Sequence, residues 1–166
     1  MYKDIAFLFL LAGFIGCKQT GKLNKGEHPL MPASDSIIFA DVQRQTFEYF
    51  RNGAEPVSGC ARERYHADNV YPENDKNIIT SGGTGFGVMA WLVAIERKFI
   101  TRDEGRKGLE KIVDFLETAD RFHGAWPHWW NGETGKVKPF SKKDNGGDLV
   151  ETSFLLQGLL CIRQYL

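Results

Sequence analysis

Cysteine is scarce in this chain, and three thiols in 166 residues cannot build a disulfide scaffold. Neither sign of charge is in excess, with 21 Lys plus Arg set against 21 Asp plus Glu. No basic field is available to hold a phosphate backbone, so nucleic acid is not an expected partner. Membrane-spanning runs are missing as well. The apolar stretch at residues 5–15 is eleven residues long, well short of the roughly 20 that cross a bilayer. No strand-and-crossover unit is recognisable, which argues against an α/β fold. What is present is the composition of a folded domain, 42% hydrophobic, 13% aromatic and 25% charged, too apolar for a disordered chain.

The short apolar run has a targeting role. Lys3 precedes it, so residues 1–16 read as a signal peptide. The run ends Phe14-Ile15-Gly16-Cys17, which resembles a bacterial lipobox with Phe14 where Leu is usual. Cys17 is then the expected lipidation site and the first residue of the mature protein. Residues 17–34, rich in Lys, Gly, Pro and Ser, read as a lipid-anchored flexible tether, and residues 35–166 as the domain. The expected location is the membrane, facing the periplasm or the cell surface.

Four helices are predicted within the domain. Ser34 or Asp35 caps the first, which runs to about Asn52 with Ile38, Val42, Gln45 and Tyr49 on one face and Phe39, Phe47 and Phe50 widening it. The second, from about Thr84 to Lys98, is apolar nearly all round and therefore buried on most sides. Thr101 and Glu104 form a capping box for the third, which carries Leu109, Ile112, Val113 and Leu116 to about Arg121. The fourth starts near Gly147 and stays apolar through Leu159, Leu160, Ile162 and Leu166, with no Gly, Asn or Pro to end it. That pattern reads as the first part of a longer protein, and the class as all-α with antiparallel helix pairs.

Several segments bear on chemistry. Gly85-x-Gly87-x-x-Ala90 matches the dinucleotide fingerprint formally, but only Ile78 and Ile79 precede it and a helix follows the helix, so the glycines read as sites of close backbone approach. Trp126, Trp129 and Trp130 crowd five residues of one loop, beside Asn-Gly and Thr-Gly signals for a short hairpin continuing to Phe140. An indole offers a flat apolar face and one donor, which suits a sugar ring, although packing the loop onto helix ends would use the same residues. His123 and His128 lack acidic or cysteine partners at a ligand spacing, so no metal is expected. Asp144, Asp148 and Glu151 gather at the start of the fourth helix, where they serve either proton transfer or helix capping. The run Ala61-Arg62-Glu63-Arg64 reads as a sugar-hydroxyl clamp or, more often for such runs, as a surface ion-pair network.

Read together, Gly59-Cys60-Ala61-Arg62-Glu63-Arg64, Thr80-Ser81-Gly82-Gly83-Thr84-Gly85-Phe86-Gly87, Glu96-Arg97-Lys98-Phe99-Ile100-Thr101-Arg102, Phe122-His123-Gly124-Ala125-Trp126-Pro127-His128-Trp129 and Asp144-Asn145-Gly146-Gly147-Asp148-Leu149-Val150-Glu151-Thr152-Ser153-Phe154 resemble the glycoamylase-like family. These are exported bacterial glycoside hydrolases that include endo-β-1,2-glucanases, and Cys60 stands where the family usually has Leu. The resemblance is collinear over residues 35–166. It implies an (α/α)6 toroid of which four helices, about a third, are present, and a glucan or oligosaccharide substrate with no cofactor. It also implies an acidic pocket on which Asp144, Asp148 and Glu151 fall as candidate catalytic residues. The candidate substrate-binding residues, read from the tryptophan loop and the arginine run, are Trp126, His128, Trp129, Trp130 and Arg62. Further essential carboxylates of the family lie beyond this stretch, so half of an active site is expected. A non-catalytic carbohydrate-binding lipoprotein is the alternative.

Overall fold

A computed structural model describes residues 33–166, so the signal segment, Cys17 and nearly all of the tether lie outside the described residues. The elements are α1 (Ala33–Asn52), β1 (Ile78–Thr80), α2 (Ser81–Glu96), α3 (Arg102–Thr118), β2 (Trp129–Asn131) and α4 (Leu149–Tyr165). The four expected helices are present and the class is all-α. The first begins at Ala33, two residues inside the expected tether.

Helix α2 is the centre. It packs most extensively on α4 and also against α1 and α3. No residue before Glu96 carries a charge, as burial on most sides demands. The helix starts three residues earlier than its apolar pattern suggests, because the Thr80 side chain accepts the Gly83 N–H as an N-cap and draws the glycines into the first turns. Gly85 explains the close crossing. A Cβ there would lie 2.5 Å from the carbonyl oxygen of Phe154, and one on Gly158 would lie 2.8 Å from the Gly85 oxygen. The α2 and α4 backbones therefore touch directly, which fixes where the two helix starts meet.

Helix α3 has both halves of the Thr101–Glu104 capping box and buries Leu109, Ile112 and Leu116. Its C-terminus falls at Thr118, short of Arg121. In α1 the buried side differs from the expected stripe. Phe47 is fully buried against Trp91, while Ile38 (60%), Phe39, Val42 and Tyr49 are exposed. Periodicity locates an apolar face, but only packing decides which part of it meets a neighbour.

A strand before α2 was not expected, yet β1 pairs antiparallel with β2, Ile79 opposite Trp130. Arg62 bridges to Ile79 on one side and Val137 to Trp130 on the other, so four short segments form one antiparallel patch. The expected hairpin is its outer part. Asn131 Oδ1 accepts the Glu133 and Thr134 N–H groups to make the turn, and Lys138 N–H returns to the Trp129 carbonyl. Asp120 clamps the returning strand, accepting from Val137 N–H at 3.0 Å and Lys136 Nζ at 3.1 Å. The Val137 bond first, and then Lys136, hold its carboxyl below the ordinary aspartate value.

Candidate active site

The starts of α2 and α4 converge on two carboxylates. Asp148 is the N-cap of α4, its Oδ1 accepting Val150 N–H at 2.9 Å and Glu151 N–H at 3.0 Å. Glu151, in the first turn, reaches across to α2, where its Oε2 accepts the Gly82 N–H at 2.8 Å. That bond requires glycine, because a Cβ on residue 82 would stand 2.5 Å from the same oxygen. Two helix N-termini thus direct free N–H groups and positive dipole ends at one acidic pair.

The loop before β2 is stitched to both helix starts. Trp126 N–H donates to Thr152 Oγ1, which donates in turn to the Trp126 carbonyl, and Asp148 N–H donates to that carbonyl at 2.8 Å. Ser81 donates through Oγ to the Pro127 carbonyl and through N–H to that of His128. These bonds leave the His128 ring between the acids. Its Nδ1 is 3.7 Å from Asp148 Oδ2 and its Nε2 is 3.7 Å from Glu151 Oε2, both longer than a hydrogen bond. Trp129 stacks on the imidazole with centroids 4.0 Å apart and planes 15° apart, and its Nε1 donates to Glu63 Oε2 at 2.9 Å.

The three tryptophans part company here. Trp130 is fully buried, with Nε1 donating to the Asp120 carbonyl and its ring edge-to-face with Phe115. Trp126 is 7% exposed, and its buried Nε1 has no partner among the described residues. Neither indole offers a face to a sugar ring, so packing the loop onto the helices accounts for both. Trp129 alone of the three is half-buried at the rim. Asp144 is exposed in the Ser141–Asp144 turn, which its backbone closes, and its side chain is not drawn onto the Asp148–Glu151 pair. Arg62 lies over the Tyr71 ring at 4.6 Å, with Nη1 buried and without a partner among the described residues. The pairing of Glu63 with Trp129 and of Gly82 with Glu151 was not legible in the sequence, although Glu63 stands in the candidate run Ala61–Arg64. Glu63 contacts a residue 66 positions away, and Gly82 was legible only as a glycine of close approach.

No protein-family profile matches the chain. Individual relatives do. An exo-β-1,2-glucooligosaccharide sophorohydrolase of Parabacteroides distasonis is 53% identical over 135 residues, 81% of this chain and 18% of that protein. The solved endo-β-1,2-glucanase of Chitinophaga pinensis is 71% identical with a TM-score of 0.76, over 81% of this chain and 32% of that one. This chain is homologous to part of a glucoamylase-like glycosidase. A solved β-1,2-glucanase of Parabacteroides distasonis, 50% identical with a TM-score of 0.72 over 81% of this chain and 18% of that one, extends the likeness. The four helices are accordingly a portion of an α/α toroid, and the chain spans between a fifth and a third of the length of these relatives.

Proposed function

We propose that this chain forms part of an exported glycoside hydrolase acting on β-1,2-linked glucan, with Asp148 and Glu151 in its acid–base machinery. The meeting of the two carboxylates on His128, where α2 and α4 begin, carries the reading. It is supported by similarity to proteins named for β-1,2-glucan hydrolysis. Glycosidic cleavage needs one group to protonate the leaving oxygen and another to activate water or attack carbon. Asp148 and Glu151 both accept backbone N–H groups at helix starts. They are placed as acceptors, suited to polarising a water or holding a sugar hydroxyl. In an inverting enzyme the proton donor stands roughly 6.5–9.5 Å away across the bond. Asp148 and Glu151 sit three residues apart at the start of one helix, on one side of the site, so the donor is assigned to another part of the whole enzyme. His128 keeps the carboxylates in register, and Asp144 shapes the loop that feeds them. Residues 1–34 export the protein and anchor it through Cys17, which the lipobox-like run supports; Cys17→Ser then releases it from the membrane fraction.

A chimera tests the chemistry. Residues 35–166 replace the matching stretch of the Chitinophaga pinensis glucanase, and turnover of β-1,2-glucan is measured. Asp148→Asn and Glu151→Gln lower kcat about 100-fold or more with little change in KM. Unaltered kcat in both variants would remove these carboxylates from the mechanism.

A further inference from the structure

Beside the acidic pair lies a second feature that its chemistry does not use. Glu63, Arg64, Asn74, Asp75, Trp129 and Phe140 line a cavity of about 280 Å³ between the segment after Cys60 and the tail of the hairpin. Phe140 is 74% exposed, yet its ring is held 5.1 Å from that of Trp129 at 35°. A large aromatic side chain left in water and braced against another is costly unless something covers it. The polar wall opposite is built rather than incidental. Arg64 Nη1 bonds Asp75 Oδ1 at 2.9 Å, and His66 Nε2 stands 3.3 Å from Asp75 Oδ2, which leaves the guanidinium oriented at the rim. Glu63 is held in place by the indole N–H of Trp129.

An apolar aromatic shelf facing a carboxylate, an amide and an oriented guanidinium is the chemistry that recognises a pyranose, apolar on its CH face and ringed by hydroxyls. Arg64 and Lys138 are balanced by Glu63 and Asp75 on the same lining, so the cavity has no net positive charge to favour a phosphate or nucleotide. Trp129 joins the shelf to His128, and His128 lies between Asp148 and Glu151. From this geometry we infer that the cavity is a glucosyl subsite, distinct from the acidic pair, that holds the next sugar of a β-1,2-linked chain against Phe140 and Trp129. The inference rests on the glucan reading above and adds the direction of the substrate: from the acidic pair across Trp129 toward Phe140.

The test is calorimetric titration of this chain with sophorotriose, in the wild type and in Phe140→Ala, Phe140→Trp, Arg64→Ala and Asp148→Asn variants, with thermal melts alongside. Phe140 is 74% exposed, so its replacement leaves the melt unchanged, whereas Arg64→Ala takes the ion-pair partner from the buried Asp75 and lowers the melt, and its affinity is read well below that melt. Phe140→Ala and Arg64→Ala each weaken binding about tenfold, and Phe140→Trp restores or improves it. Wild-type affinity in both alanine variants, with binding lost only in Asp148→Asn, overturns the subsite and leaves the glucan reading standing. A wild-type chain that takes up no trisaccharide at millimolar concentration overturns both.

Discussion

Replacing Gly82 by alanine tests how Glu151 is held. The new Cβ would lie 2.5 Å from Oε2, 2.9 Å from Cδ and 3.0 Å from Oε1 of Glu151, so every clash is with the end of one side chain. The carboxylate relieves it by withdrawing, which breaks the 2.8 Å bond from the residue 82 N–H. A hydrogen bond to a charged group contributes about 1.5–3 kcal/mol. Alanine returns up to about 1 kcal/mol of helix propensity, less in a first turn. The net loss is about 1–2 kcal/mol, a fall in Tm of about 3–8 °C for a domain of this size. Circular dichroism at 222 nm measures it on this chain, and glucan turnover in the chimera reports the displaced carboxylate. In a Glu151→Gln background the same substitution costs less, because the charged bond is already gone. A Gly82→Ala protein that melts at or above the wild-type temperature and keeps full turnover would refute the placement of Glu151.

Other perturbations separate folding from chemistry. Asp148→Ala removes the α4 cap and costs about 0.5–2 kcal/mol in thermal melts, whereas Asp148→Asn caps nearly as well and leaves the melt in place while turnover falls. Because the folded carboxyl of Asp120 is held below its unfolded value near 4, the stability it contributes is complete above that value and is lost as pH falls through the folded one. Asp120→Asn therefore flattens the acid limb of a Tm-against-pH curve, and a limb of unchanged steepness would contradict the clamp. Burial pushes the Cys60 thiol up to about 12, so peptide mapping after iodoacetamide at pH 8 finds Cys60 unmodified in the folded protein and alkylated only in denaturant.

What sequence by itself determined was local or carried by long collinear motifs. The Thr101–Glu104 box, the helical span of each apolar pattern, the hairpin after Trp130 and the acidic start of α4 depend on residues within a few positions of one another. The likeness to glucoamylase-like proteins was legible for the same reason, in runs long enough to be specific. Tertiary structure decided the rest. Which face of α1 is covered, which tryptophan remains at the surface, and the pairing of β1 with β2 depend on contacts between elements distant in sequence, such as Phe47 on Trp91 and Ile79 opposite Trp130. Three tryptophans in five residues are equivalent as sequence, but two fill the space under the loop and the third meets Glu63 from 66 positions away. The acidic pair was visible as spacing, whereas its convergence on His128 required the packing of two helices and a loop whose starting points lie far apart along the chain. Short-range hydrogen bonding is written in neighbouring residues, and the placement of a side chain between distant elements is set only when those elements pack.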